Sequence, residues 1–247
     1  MNDFSKTTMS NSDFQSLVAR DYDTITAHGI SLPTARYYDE TILGYLPSMP
    51  GMIVDAGCGT GEFTRKLTSS KEQILAVDVS SVAIRKAQAS EGTSRIDYRV
   101  AAVEDLPSMI PPRSCSAIIL NRVLHHCDDL PTLIEALMAL LLPGGRIIVL
   151  DLDCTGNACS QLNRKFTLVM YRLCVLAKGL CAGTLFGRID DLRAEARAYR
   201  SPGWLDHLGH EPDYRWTMIR DAFRSMSTSY IHKRMNWRFH LFVADRP

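Results

Sequence analysis

From Met52 to Leu150 the sequence switches repeatedly between two spacings of apolar residues, and this alternation limits the fold more than any other feature. Short apolar runs at 52–56 and 74–77 read as buried strands, 96–100 suits a third strand, and 117–120 and 147–150 read as the fourth and fifth. Leu130, Leu133, Ile134, Leu137, Leu140 and Leu141 recur at helical spacing, with Pro131 in the first turn and Pro143-Gly144-Gly145 as the stop. Residues 61–67 predict a helix after the first strand. Ser80 or Ser81 caps the next helix and Gly92 closes it. Strands alternating with helices specify a parallel, doubly wound sheet, an α/β fold. Beyond it, residues 153–220 read as mostly helical. Trp237, Phe239, Leu241 and Val243 alternate with Arg238 and His240. That spacing predicts a half-buried antiparallel strand, with residues 225–231 as its candidate partner.

The 247 residues are read as one domain in four parts: a polar-aromatic helical segment (1–50), the alternating core (51–152), the helical insertion (153–220) and the closing strands (221–247). Hydrophobic residues make up 46% and charged residues 22%, which excludes a disordered or collagen-like chain. The 28 basic residues against 27 acidic ones argue against a nucleic-acid partner, whose phosphates supply most nonspecific affinity. Met1 to Asp13 is polar and has no apolar stretch of the signal-peptide kind. The seven cysteines are therefore expected as reduced thiols in the cytoplasm. The most apolar run, from Phe166 to Phe186, is interrupted by Arg172 and Lys178, so no transmembrane segment is expected. That run suits a pocket wall, a partner chain or a membrane-surface contact.

The densest motif joins the first strand to its helix: Val54-Asp55-Ala56-Gly57-Cys58-Gly59-Thr60-Gly61-Glu62-Phe63. Glycines at this turn let a ligand approach the main chain at the sheet edge where ligands bind. A dinucleotide fingerprint needs a third glycine at position 62, which is Glu62, and a phosphate loop needs a lysine that is missing here. Asp55 and Glu62 repel a phosphate and favour a cationic ligand. S-adenosylmethionine, with a sulfonium and an ammonium and no phosphate, meets that requirement. Asp78 ends the second strand, where an acid accepts hydrogen bonds from ribose hydroxyls.

In these residues the chain resembles the class I S-adenosylmethionine-dependent methyltransferases, most of all the ubiquinone/menaquinone-type branch that modifies small molecules. Residues 54–63 resemble the first motif of the family and 76–80 the second. Residues 101–107 resemble its adenine-binding segment, 120–126 its fourth-strand motif and 141–146 the turn before the fifth strand. The resemblance implies a Rossmann-like, mostly parallel seven-stranded sheet with an antiparallel C-terminal strand. An N-terminal helical lid and a helical insertion after strand five complete the expected fold. It also implies that Asp55 and the backbone of Ala56, Gly57, Cys58 and Gly59 surround the methionine portion. Asp78 holds the ribose, Val79, Val103 and Glu104 line the adenine, and Asn121 lies beneath the cofactor. Ala102 departs from the pattern, which leaves the adenine amino group to Glu104 or to a backbone carbonyl.

Methyl transfer from a sulfonium is an in-line displacement and needs mainly alignment. A base is required when the acceptor must lose a proton, and His125 and His126 are the candidates at the ligand edge. The alternative is that one of them packs or bonds the backbone. Tyr22, Tyr37 and Tyr38 are candidates for a substrate-facing lid, or for rings that pack on the sheet. The cysteines form no C-x-x-C pair, and Asp206, His207, His210 and Asp213 lack helical zinc spacing, so no metal is expected. Arg193, Arg197 and Arg200 read as a solvated helix face, and His232, Lys233, Arg234 and Arg238 as charge protecting an edge strand. The acceptor is expected to be a small apolar or aromatic molecule. Two other readings stay open: another reaction of the cofactor on this fold, such as its own cyclisation, and a non-catalytic partner subunit.

Overall fold

The computed structural model describes residues 33–69, 73–90, 95–152, 216–226, 229–235 and 239–247. Tyr22, the Phe166 to Phe186 run, Cys154, Cys159, Cys174, Cys181, the Arg193 stripe and the Asp206 to Asp213 cluster lie outside these residues, as do Gly92, Trp237 and Arg238.

Seven strands form one sheet: β1 (Met52–Ala56), β2 (Ile74–Asp78), β3 (Ile96–Val100), β4 (Cys115–Asn121), β5 (Leu141–Leu152), β6 (Tyr230–Arg234) and β7 (Phe239–Asp245). Their order across the sheet is β3-β2-β1-β4-β5-β7-β6. The pairs from β3 to β5 are parallel, and β7 runs antiparallel to both β5 and β6. Strand order reverses between β1 and β4, so the carboxyl ends of these two strands open a crevice at the switch point.

Helices cover both faces, as the largely apolar central strands β1, β2, β4 and β5 require. On one face α1 (Pro33–Leu43) contributes Ile42, and α2 (Ser81–Ala89) contributes Ile84 and Ala87, packed on Ile53, Ala76, Ile119, Ile148 and Val243. On the other, α3 (Leu130–Leu140) and α4 (Trp216–Ser225) bury Leu133, Ile134, Leu137, Ile219 and Phe223 on Val54, Ile118, Val149 and Phe242. Ser80 caps α2, its hydroxyl accepting from the Ala83 amide at 3.1 Å. Asp129 caps α3 through the Thr132 amide.

Four expectations change. Residues 61–67 form no α-helix; a 3-10 turn occupies Thr64–Ser69 instead. The segment Pro143-Gly144-Gly145 lies within β5, which begins directly after α3. There β5 pairs Leu141 with Cys115 and then Arg146 with Ala117, so the extra residues bulge out of register. Gly144 takes φ +75°, and a Cβ on Gly145 would sit 2.9 Å from the Cys115 carbonyl. The partner of β7 starts at Tyr230, because residues up to Ser225 belong to α4, whose Ile219, Ala222 and Phe223 follow helical spacing. Finally, β7 is buried on both faces, because α4 covers the side that carries His240 and Phe242. His240 is only 4% exposed and stacks on Trp216 with ring centroids 4.9 Å apart.

Strand β6 is the sheet edge. His232, Lys233 and Arg234 are exposed along it, and charge of this kind discourages edge-to-edge pairing. No helix among the described residues is long and apolar enough to cross a membrane.

Candidate active site

The glycine loop leaves β1 at the switch point with its donors turned inward. The amides of Gly57 and Cys58 both donate to the Val77 carbonyl, at 2.8 and 2.9 Å. The Gly59 amide donates to Asp78 Oδ2 at 2.9 Å, and the Gly61 amide to the Cys58 carbonyl at 3.0 Å. A phosphate would need those N–H groups, as it does in dinucleotide and P-loop sites. Here they are already used.

Two carboxylates stand beside these spent amides. Asp55, 2% exposed, receives the Thr64 hydroxyl on Oδ2 at 2.5 Å. Its pKa is pushed up to about 7, first by burial and then by the Asp78 and Asp39 carboxylates, against the lowering effect of Thr64. Asp78 is also pushed up by burial, opposed by the Ser80 and Gly59 amides that its two oxygens accept. A cation set between these acids would reverse both shifts.

Asn121 ends β4 on the same side of the sheet as Asp55, since Asp55 pairs with Ile119 and side chains alternate along the strand. Its amide oxygen is buried and has no hydrogen-bond partner among the described residues. A buried carbonyl left unsatisfied costs roughly 1–3 kcal/mol, so a donor belongs there. After Asn121 the chain turns through Arg122 at φ +64°, an uncommon conformation for a side-chain-bearing residue.

Glycine is required at two loop positions for different reasons. At Gly57 (φ +80°) a Cβ would stand 2.3 Å from a Val123 methyl, and at Gly61 (φ +74°) 2.5 Å from the Tyr98 hydroxyl. Gly59 (φ +54°) has nothing within 4 Å of such a Cβ, so a ligand can close on its backbone. Gly57→Ala is expected to destabilise the protein by about 2–4 kcal/mol in urea unfolding, from backbone strain plus the clash. Adding Val123→Ala should recover part of that loss. Full wild-type stability of the single variant would refute the account.

The turn after β4, Leu124–His126, places the two histidines differently. His125 is 4% exposed and its Nδ1 lies 2.7 Å from Asp151 Oδ1 near the end of β5. The His125 amide donates to Asp151 Oδ2 at 3.2 Å. His126 is half-buried, and its ring lies 4.0 Å from that of His125. Of the residues expected to line an adenine, Val103 is buried and Val79 half-buried, while Glu104 is exposed. The Glu104 carboxylate lies by the Cys127 thiol, which burial, that charge and that hydrogen bond push well up. The Ala102 amide donates to Asp105 Oδ2 at 3.0 Å. Tyr38 packs on Phe239 with centroids 5.2 Å apart, and Tyr37 carries Lys233 Nζ at 5.9 Å, so both rings engage the C-terminal strands. Among the described residues no cluster of metal-ligand types forms.

Sequence reasoning did not find Thr64 or Asp151. Thr64 gave no local signal. Asp151 ends an apolar run and reads as a strand terminus, and its partner is 26 residues away.

The comparisons agree with this architecture. A family model described as a methyltransferase domain matches residues 54–149. A ubiquinone biosynthesis O-methyltransferase of Xanthomonas euvesicatoria pv. vesicatoria is 30% identical over 79% of this chain and 76% of its own. One of Xylella fastidiosa (strain 9a5c) is 28% identical over 66% of this chain and 62% of its own. A structure described as a putative S-adenosyl-L-methionine-dependent methyltransferase from Methanococcus maripaludis superimposes with a TM-score of 0.62 at 16% identity, covering 97% of each chain. The chain belongs to the class I S-adenosylmethionine-dependent methyltransferases. Its matched stretch spans 47–62% of the length of the first curated relatives.

S-adenosylmethionine is the cofactor of this family, and the residues present fit it. The amides of Gly57, Cys58, Gly59 and Gly61 are spent, the buried Asp55 and half-buried Asp78 stand at the switch point with the unsatisfied amide oxygen of Asn121, and space is open over Gly59.

Proposed function

We propose that this chain transfers a methyl group from S-adenosylmethionine to a hydroxyl of a small apolar or aromatic acceptor. The observation that carries the reading is the pair of carboxylates at Asp55 and Asp78, with the amides of Gly57, Cys58, Gly59 and Gly61 turned inward. That chemistry recognises a cation and ribose hydroxyls rather than a pyrophosphate. The bound cofactor supplies an activated methyl on a sulfonium. Asp78 would accept from the ribose hydroxyls with the lone pairs not taken by Gly59 and Ser80. Val79, Val103 and Glu104 would border the adenine. Asp55, Ala56, Gly57, Cys58 and Gly59 would lie along the methionine portion, and Asn121 would accept from its ammonium. Holding acceptor and methyl in line supplies most of the acceleration. The hydroxyl as acceptor is supported by the O-methyltransferase names of the relatives and by a histidine at the transfer end.

Titration calorimetry with S-adenosylmethionine and S-adenosylhomocysteine tests the cofactor, and mass spectrometry of reactions with a panel of phenols tests the transfer. Micromolar binding and products heavier by one methylene are expected. No detectable affinity for either nucleoside would sink the proposal, and methylthioadenosine formed without an acceptor would replace it with cyclisation.

A further inference from the structure

We infer that Asp151 is a positioning residue that holds His125 in the form able to take a proton from the methyl acceptor. The inference rests on the methyl-transfer reading and adds a residue that the family motifs do not contain.

The geometry is specific. Two residues 26 positions apart meet because β4 and β5 are parallel neighbours whose carboxyl ends lie side by side. Asp151 is 1% exposed and His125 4%. Both carboxylate oxygens serve the same residue: Oδ1 faces the ring nitrogen at 2.7 Å, and Oδ2 accepts the backbone amide at 3.2 Å. One contact alone would leave the ring free to rotate about the other. Together they fix both the backbone and the imidazole of the turn.

The partner also assigns the tautomer. An ionised carboxylate only accepts, so the shared proton lies on Nδ1. Nε2 of the neutral ring then carries the lone pair, as a base requires. The methyl-transfer reading sets Asn121 at the methionine end, and the turn that holds His125 begins three residues beyond it, at the carboxyl edge of the sheet.

The step balances. His125 Nε2 takes the hydroxyl proton as the oxygen lone pair forms the new bond to the methyl carbon. The carbon–sulfur bond breaks with its electron pair left on sulfur. One sulfonium charge disappears and one imidazolium charge appears, and Asp151 neutralises the latter. The proton then passes from His125 to solvent.

Other titratable groups bear on the pair. His126 lies 4.0 Å away on the same turn. Cys127 follows it and carries the influence of Glu104, Asp151 and Asp128. From β7, His240 stands directly opposite Asp151 and bonds His232 at 2.9 Å. His126→Gln and His240→Gln controls therefore accompany the test.

The experiment is histidine-ring nitrogen NMR on the full chain saturated with S-adenosylhomocysteine, with His125→Gln to assign the signal. The wild type should give the Nδ1–H tautomer. Asp151→Asn keeps the shape and removes the charge. It should lower the His125 pKa, because an adjacent carboxylate favours imidazolium and its loss favours the neutral ring. With catechol as the probe acceptor, Asp151→Asn should lower kcat about 100-fold and move the acid limb of the rate profile to lower pH. Calorimetric affinity for S-adenosylhomocysteine should stay within twofold. An Nε2–H tautomer in the wild type would overturn the inference, as would an unmoved His125 pKa in Asp151→Asn. Loss of nucleoside affinity and melting temperature in step with kcat, with the limb unshifted, would reduce Asp151 to a structural brace. Absence of nucleoside binding by the wild type would instead fail the methyl-transfer reading and leave the tautomer result standing.

Discussion

Asp78→Ala is expected to weaken S-adenosylhomocysteine binding at least about 100-fold by calorimetry. The carboxylate closes the glycine loop onto β2: Oδ2 accepts the Gly59 amide at 2.9 Å and Oδ1 the Ser80 amide at 2.8 Å. Hydrogen bonds to a charged group contribute about 1.5–3 kcal/mol each, and removing their acceptor strands two amides. Only about 2.7 kcal/mol is needed for a 100-fold change. The variant loses the loop brace together with the proposed acceptor for the ribose hydroxyls. Asp78→Asn should be nearly as damaging. An amide offers one acceptor oxygen, so either Gly59 or Ser80 must face a donor. Hydrogen exchange gives a second readout, since the Gly59 and Ser80 amides should lose protection while those of β4 and β5 keep theirs. Affinity within threefold of wild type would remove Asp78 from the site.

The parts of the molecule legible in the sequence are those whose cause is local. The strands at Met52–Ala56 and Ile74–Asp78 announce themselves as short apolar runs ending in turn residues. The glycine loop is legible because left-handed backbone at Gly57, Gly59 and Gly61 demands that residue type. What stayed hidden depends on contacts across the sheet. Pro143-Gly144-Gly145 looks like a loop, yet β4 has room beside it for a bulged strand. His240 looks like the wet face of a strand, yet α4 brings Trp216 over it. The pairing of His125 with Asp151 depends on which strands are neighbours, and no spacing within either segment encodes that. The glycine loop and its acids are therefore legible from motifs, while the contact of Asp151 with His125 requires the topology.

The second large effect concerns Asp55 and pH. Its folded pKa of about 7 lies above the ordinary carboxylate value, chiefly because burial disfavours the charge. Below about pH 4 the acid is protonated whether the chain is folded or not. Between there and pH 7 the folded state alone keeps the proton, so stability falls as pH rises and the full loss is reached above 7. Three units amount to about 4 kcal/mol as an upper limit. A bound cation needs the ionised form and supplies what the empty crevice lacks. Binding below pH 7 must therefore expel a proton, and the affinity for S-adenosylmethionine should rise about 25-fold from pH 5.5 to 7.5. Asp55→Asn should bind weakly at pH 7.5 with a dependence on pH of less than twofold. The same variant should flatten the fall in melting temperature of the unliganded protein across this range. A slope in Asp55→Asn equal to that of the wild type would assign the titration to another group and leave Asp55 without a role in drawing the cofactor.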